Sequence, residues 1–202
     1  REVAYPFGFG LSYTTFDQEL KSITYKEETD TFVAKINIKN TGNVDGRASA
    51  QLYCQLPYTD YDKENLVEKS AIQLCGYNKV LVGAGKEVET EIEFDRYFLA
   101  SYDRLNKKQY ILEDGEYYFS LGNGAHEALN NIIATKKADA TLLDHNGENY
   151  TADLDSVKKY NITGALDAYK YSHYDDSVEV KNKFDDADVN YWANDDQKIT
   201  YL

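Results

Sequence analysis

The stretch Glu87-Val-Glu-Thr-Glu-Ile-Glu-Phe94 alternates strictly between glutamates and residues that are apolar or β-branched. A two-residue period is typical of a β-strand with one face on a core and the other in water. We interpret the four glutamates as the solvent face of such a strand, where charge protects an exposed sheet edge. With 35 Asp and Glu residues in the chain, abundance alone selects no catalytic carboxylate pair.

Three further runs have the same period, and they lie at residues 32–39, 48–56 and 117–121. Turn signals rich in Gly and Asn separate the runs, at residues 40–46, 83–85 and 113–115. Short alternating strands without long amphipathic helices between them predict an all-β fold. We therefore expect an antiparallel immunoglobulin-like β-sandwich over residues 17–137, with a closed barrel as the alternative.

The spacing of the apolar residues changes after Gly124. Ala128, Leu129, Ile132 and Ile133 fall on one helical face, so this segment is either a short helix or a last edge strand. Residues 138–202 are polar, rich in Asp and Tyr, and only weakly periodic. We expect them to form an extended, mostly irregular C-terminal strap, in which Val178 with Val180 and Ile199 with Tyr201 each mark a possible strand.

The composition excludes several classes of protein. A net charge of −13 and a pI near 4.6 argue against nucleic acid as a partner, because phosphates are bound by Lys and Arg. No apolar run approaches the roughly 20 residues of a membrane-spanning helix, so we expect no membrane partner. The chain contains no Met, opens with Arg1 and shows no signal peptide, so we expect a piece of a longer protein. The compartment stays open, with the cytoplasm favoured over secretion.

No motif in the sequence predicts a metal or a cofactor. Cys54 and Cys75 are either buried thiols, which we favour, or one disulfide. The three histidines are isolated, and the acidic run 185–190 lacks the Gly and Glu of a calcium loop. No Walker loop, dinucleotide-binding turn or nucleophile elbow is present. We assign no catalytic residue.

Two groups of residues are candidate contact sites. The N-terminal segment is too apolar to lie free in water, so we expect its large side chains at a domain interface: Tyr5, Phe7, Phe9, Leu11, Tyr13 and Phe16. Tyr58 and Tyr61 fall in a predicted loop beside Asp60 and Asp62. Exposed aromatics next to carboxylates can stack on sugars and bind their hydroxyls, although a chain with 19 tyrosines must expose some of them.

Several motifs in order resemble one known family. The segment Pro6-Phe-Gly-Phe-Gly-Leu-Ser-Tyr-Thr-Thr-Phe16 is similar to the exit from the α/β-sandwich domain of glycoside hydrolase family three, the β-glucosidases. The motifs that follow resemble the fibronectin type III-like domain of that family: Asn40-Thr-Gly42, Gln51-Leu-Tyr53, Gln73-Leu-Cys-Gly-Tyr-Asn-Lys-Val-Leu81, Tyr102-Asp103 and Gly115-Glu-Tyr-Tyr-Phe-Ser-Leu-Gly122. Residues 126–131 and 184–190 resemble a bacterial subgroup with permuted domain order.

The resemblance implies a division of the chain and a role for it. Residues 1–16 would leave a preceding α/β-sandwich domain, residues 17–137 would form the fibronectin-like sandwich, and residues 138–202 would lead to a catalytic barrel. The family implies a retaining mechanism, with an Asp nucleophile and a Glu acid/base on other domains. We therefore expect a non-catalytic accessory module that contacts the other domains of a parent β-glucosidase or mediates a homodimer contact.

Two alternatives stay open beside that role. One is a carbohydrate-binding module for an oligosaccharide, which a line of exposed tyrosines on one sheet would favour. The other is a cell-surface interaction domain of immunoglobulin-like type, against which the apolar leader at residues 6–16 argues.

Overall fold

The computed structural model describes residues 4–164 and 167–181. The larger strands are β1 (Phe16–Lys26), β2 (Thr31–Asn40), β3 (Gly46–Gln55), β4 (Gln73–Val82), β5 (Glu87–Asp95), β8 (Gly115–Leu121) and β9 (Val157–Ile162). The shorter strands are β6 (Ser101–Asp103), β7 (Gln109–Leu112), β10 (Asp167–Tyr169), β11 (Tyr171–Ser172) and β12 (Asp175–Glu179). Two helices, α1 (Asp60–Asn65) and α2 (Ala125–Lys136), and a 3-10 turn (Arg96–Leu99) complete the described elements.

Two antiparallel sheets form the sandwich that the alternating runs predict. One sheet has three strands in the order β1-β2-β5, and the other has four in the order β4-β3-β8-β9. Strand β5, which carries the glutamate row, lies at the edge of its sheet, as expected. The prediction of an antiparallel β-sandwich is confirmed.

The core lies between the inward faces of the two sheets. Phe32 on β2 stacks on Phe94 of β5 at 5.5 Å and contacts Phe119 of β8, in the opposite sheet, at 6.0 Å. Apolar side chains at alternate positions of β2 and β3 are almost fully buried: Ala34, Ile36, Ile38, Ala48, Ala50, Leu52 and Cys54. The two-residue period therefore identified the buried face correctly.

Both cysteines are free thiols. Cys54 is fully buried on β3, and Cys75 lies on the neighbouring strand at a register shift opposite Leu52 and Tyr53. Burial raises the pKa of the Cys54 thiol, and its hydrogen bond with the Cys75 thiol raises it further. Cys54 thus behaves as a small core hydrophobe.

The four-stranded sheet continues beyond residue 137. Strand β9 pairs with β8 from Gly115↔Ile162 to Ser120↔Val157, so a segment that we expected to be an irregular strap supplies the fourth strand. Its sequence Val-Lys-Lys-Tyr-Asn-Ile places consecutive lysines on opposite faces, with Lys158 half-buried opposite Phe119 and Lys159 exposed, and this interrupts the apolar alternation. The division of the chain at residue 137 stays a prediction.

Helix α2 resolves the ambiguity after Gly124. Its Ile132 is fully buried against Tyr118 of β8 and Val157 of β9, both on the outer face of the four-stranded sheet. Within the described residues, neither helix has the length and apolar character needed to cross a membrane.

Three of the shorter strands, β10, β11 and β12, lie in the remaining C-terminal segment. Strands β6, β7 and β10 form a three-stranded antiparallel sheet, and β11 pairs with β12. Val178 lies on β12, as expected. The possible strand at Ile199 and Tyr201 and the acidic run 185–190 lie outside the described residues.

Candidate interface surface

The N-terminal leader, residues 4–15, is held to the sandwich by its main chain. The Phe7 carbonyl accepts the Ala125 N–H at the start of α2, at 2.8 Å. The Gly8 carbonyl accepts a hydrogen bond from Gln51 Nε2 on β3, at 2.9 Å. The Tyr53 hydroxyl donates to Gln51 Oε1 at 2.7 Å and so fixes the orientation of that amide.

Two glycines make this close approach possible. Gly8 has a φ of +86°, and a Cβ there would lie 2.2 Å from Gln51 Oε1. A Cβ on Gly124 would lie 2.9 Å from the Phe7 carbonyl oxygen. Gly8 in the leader and Gly124 before α2 therefore allow the main chain of the leader to dock on the outer face of β3.

A second anchor lies where the leader enters β1. Thr14 Oγ1 donates to Asn40 Oδ1 at 2.7 Å. The same oxygen accepts the Gly42 N–H, and Asn40 Nδ2 donates to the carbonyls of Val44 and Val82, at 2.8 and 2.9 Å. Asn40 is fully buried and uses its whole amide. This accounts for the Asn40-Thr-Gly42 motif in physical terms.

Most of the leader's large side chains point away from these anchors. Tyr5 and Phe7 are 68% and 67% exposed, Leu11 is 92% exposed, and Tyr13 is fully exposed. We call these four side chains the leader surface. Phe9 and Phe16 differ, because Phe9 packs between the rings of Tyr5 and His145, at 4.9 and 5.0 Å, and Phe16 packs on the core.

Exposed apolar side chains also flank the docking point on the sheet. Tyr77 on β4 is the register partner of Gln51, and Leu81 is the partner of Arg47. Tyr77 is 71% exposed and Leu81 is 59% exposed. Because cross-strand partners lie about 5 Å apart, Tyr77 stands beside the amide that holds Gly8.

The second candidate site, at Tyr58 and Tyr61, includes a short helix where the sequence predicts a loop. Thr59 caps the short helix α1, so Tyr61 and Asp62 are helical. The Tyr61 hydroxyl donates to Asp103 Oδ2 at 2.5 Å and accepts from Asn106 Nδ2 at 2.9 Å. Tyr58 is 58% exposed, whereas Tyr61 is tied to the sandwich through its hydroxyl. Sugar contact at these two tyrosines stays a prediction.

The two acids beside these tyrosines have opposite environments. Asp60 is exposed and pairs with Lys63 on the helix surface at 2.8 Å. Asp62 is fully buried and accepts from Lys69 Nζ at 2.7 Å, and the same ammonium group pairs with Glu113. Burial raises the pKa of the Glu113 carboxyl, while Lys69 and Thr59 oppose that rise. The cluster joins α1 to the turn before β8.

A polar cleft of about 520 Å³ lies where β1 begins and β8 ends. Its carboxylates include Asp17, Glu127 and Asp153. Asp153 accepts hydrogen bonds from Ser156 Oγ and from the Asp155 N–H, so it braces its own loop. Among residues 4–164 and 167–181, no group of three or more His, Cys, Asp and Glu side chains is arranged to hold a metal ion.

The sequence indicated the leader as a contact segment but did not indicate the residues that hold it to the sandwich. Gln51 and Tyr53 were recognised only as part of a family motif, and nothing marked Ala125 as a main-chain donor. Alternation alone would have placed Gln51 and Tyr53 on the outward face of β3. A buried Tyr on an outward face is the signal that something covers it.

Comparisons with known proteins agree with the architecture. Residues 48–125 match the fibronectin type III-like domain family. β-Glucosidase A of Butyrivibrio fibrisolvens is 33% identical over 147 residues, which cover 62% of this chain and 16% of that protein. The chain thus spans about a sixth of the length of this curated relative.

Solved structures show the same relationship. The β-glucosidase of Kluyveromyces marxianus in complex with glucose shares the fold over 84% of this chain and 16% of its own, with a TM-score of 0.60 and 23% identity. The GH3 β-glucosidase of Bifidobacterium adolescentis matches 60% of this chain and 17% of its own, with a TM-score of 0.50 and 28% identity. This chain therefore carries a fibronectin type III-like domain of the kind found in the β-glucosidases of glycoside hydrolase family three.

Proposed function

We propose that this chain is a non-catalytic accessory module of a β-glucosidase-type glycoside hydrolase, and that the leader surface contacts another domain of the parent enzyme. The observation that carries the proposal is the contrast within the leader. Its main chain is hydrogen-bonded to β3 and α2, while Tyr5, Phe7, Leu11 and Tyr13 stay exposed. Four exposed apolar side chains on a firmly held segment are typical of an interaction surface.

The proposed partner is the α/β-sandwich domain that would precede the leader, with the catalytic barrel following the C-terminal segment. Relatives about six times longer than the matched region support this arrangement, because they have room for both domains. Retaining hydrolysis needs two carboxyl groups roughly 5–5.5 Å apart, one of them kept protonated. Asp62 and Glu113 are buried and both pair with Lys69, so we assign this carboxyl pair a structural role.

Catalysis is tested by assaying the purified chain and the parent enzyme side by side on an aryl β-glucoside. We expect activity from the parent and none from the chain alone. Turnover by the chain near the parental rate would contradict the proposal. Asp60 and Asp62 would then be the first residues to substitute.

The interface is tested in the parent with the triple variant Phe7→Ala, Leu11→Ala and Tyr13→Ala. We expect a lower Tm for the parent and an unchanged Tm for the isolated chain, because these side chains are exposed only in the latter. Tyr58→Ala, at an exposed tyrosine outside the leader, is the matched control. Equal Tm values for parent and triple variant would contradict a domain contact at the leader surface.

A further inference from the structure

A second aromatic surface lies on the small sheet formed by β6, β7 and β10. Tyr102, Tyr110 and Tyr169 occupy facing register positions, so one tyrosine from each strand forms a row across the sheet. The rings of Tyr102 and Tyr110 lie 5.3 Å apart. Tyr97, from the 3-10 turn, packs edge-on against Tyr110 and Tyr169 at 5.2 and 5.4 Å.

This row supports an outer layer of rings. His173 stacks on Tyr97 with a centroid distance of 4.8 Å and an interplanar angle of 9°. Tyr174 meets His173 edge-on at 5.0 Å, and Phe98 meets it at 6.2 Å. Tyr174 is 84% exposed and Phe98 is 44% exposed. Tyr97 and His173 thus position the outer rings of Tyr174 and Phe98, which are exposed to solvent.

Polar groups accompany the exposed rings. His173 Nε2 lies 2.8 Å from Asp95 Oδ2, and the Asp95 side chain is 40% exposed. This contact ties the imidazole that stacks on Tyr97 to a carboxylate that is still partly exposed. A carboxylate oxygen accepts hydrogen bonds from hydroxyl groups.

We propose that Phe98, Tyr174, His173 and Asp95 form a carbohydrate-contact site for a β-linked gluco-oligosaccharide. The faces of a pyranose ring carry C–H groups that pack on the negative face of an aromatic ring, and its rim carries hydroxyls that donate to a carboxylate. A neutral ligand also suits a chain with a net charge of −13, which disfavours phosphates and other anions. The stacking surface is independent of the accessory role, whereas the choice of a β-linked gluco-sugar rests on the proposed function.

The site is distinct from the tyrosines that the sequence indicated. At Tyr61 the hydroxyl is occupied by Asp103 and Asn106, whereas at Tyr174 the ring is exposed and is held through its neighbour His173. A site with two exposed rings and one carboxylate is small, and we expect a dissociation constant of about 1 mM.

The test is a titration of the intact chain with cellotetraose and with laminaritetraose, followed by ¹H–¹⁵N chemical shifts. We expect saturable shifts for residues around positions 95–98 and 173–174 with at least one sugar. Tyr174→Ala and Phe98→Ala should each weaken binding by about tenfold, and Asp95→Asn should weaken it less. Tyr13→Ala is the control, because Tyr13 is fully exposed on the leader.

Folding of each variant is checked by its Tm and by its amide spectrum. Tyr174 is largely exposed, so its replacement leaves the core unchanged. The proposal is overturned if neither tetrasaccharide gives saturable shifts, or if the folded Tyr174→Ala variant binds as tightly as the unsubstituted chain. Equal weakening by Tyr13→Ala would also overturn it, because the contact would then be non-specific.

Discussion

Both sheets of the sandwich bury an apolar inner face, but their outer faces differ in chemical character. The outer face of β1-β2-β5 carries charged pairs such as Lys26–Glu93 and Lys35–Glu91, at 3.3 and 3.6 Å, and their side chains are about half exposed. The outer face of the four-stranded sheet is covered by α2 and by the leader, and it leaves Tyr77 and Leu81 exposed at its edge.

The difference separates a solvent face from a contact face. Exposed ion pairs contribute little to stability, so the charged pairs on this sheet gain nothing from being covered. The other sheet gains stability from each element laid on it, and it still exposes apolar side chains when both elements are in place. The predictions that follow rank these contributions against that of a buried ion pair.

The largest effect should come from an ion pair that is not exposed. Replacing Lys69 by Met leaves Asp62 and Glu113 buried without a cation, and we expect a loss of about 3–5 kcal/mol in the free energy of unfolding. Urea unfolding at pH 7 measures this loss. Lys63→Met removes the cation of an exposed pair beside the same helix and is the control, with about 0.5 kcal/mol.

The pH dependence of that variant gives an independent check. Burial already raises the pKa of Glu113, and loss of Lys69 raises it further. A carboxyl whose pKa is higher in the folded than in the unfolded state favours folding when it is protonated. The deficit should therefore shrink as the pH falls from 7 through the raised pKa of Glu113. A deficit that is constant with pH would contradict the buried-charge explanation.

The next effect concerns the helix on the contact face. Ile132→Ala removes a fully buried side chain between Tyr118 and Val157, and we expect a loss of about 2–5 kcal/mol by urea unfolding. Ile133→Ala makes the same change at a half-buried neighbour and should cost clearly less. Equal losses at the two positions would show that α2 is not seated on the sheet through Ile132.

A smaller effect should come from the leader. Gly8→Ala places a Cβ against Gln51 at a φ of +86°, and we expect a loss of about 1–3 kcal/mol or release of the leader. Amide exchange at Ala125 should increase, since its N–H would lose the Phe7 carbonyl. Gly10→Ala is the matched control, because a Cβ there meets no atom within 4 Å. Unchanged exchange at Ala125 in Gly8→Ala would contradict main-chain docking.

The smallest effect is expected on the charged face. A double-mutant cycle on Lys35 and Glu91, with Lys35→Met and Glu91→Gln, should give a coupling energy of about 0.5 kcal/mol or less. Added salt should reduce that coupling further. A coupling above about 1 kcal/mol would mean that the charged sheet is stabilised by its surface pairs after all.

Period alone predicted most of the sandwich, because alternation reports directly which side of a strand is buried. It missed β9, where the adjacent Lys158 and Lys159 put one lysine on each face of the strand and so interrupt the apolar alternation. It left α2 undecided, since a short amphipathic segment satisfies both a helical and a strand period. Both outcomes depend on tertiary contacts that a local window does not contain.

The contact sites were harder to predict, for the same physical reason. The leader's apolar composition indicated an interface, but its composition could not show that Phe9 packs inward while Phe7 points outward. Tyr102, Tyr110 and Tyr169 meet through strand register across 67 residues of sequence, and single-sequence patterns do not encode register. The sequence indicated Tyr61 as an exposed ring because its partner Asp103 lies on β6, 42 residues further along the chain.

The way the leader is fastened has a consequence for how such modules diversify. Its hydrogen bonds near residue 8 use the main-chain carbonyl groups of Phe7 and Gly8, which do not depend on the side chains of the leader. The anchor requires glycine only at position 8, where a Cβ would meet Gln51. Substitutions at positions 5, 7, 11 and 13 can therefore accumulate without detaching the segment. Under the proposed domain contact, changes at those four side chains would fit one sandwich to a different neighbouring domain while the main-chain anchor stays the same.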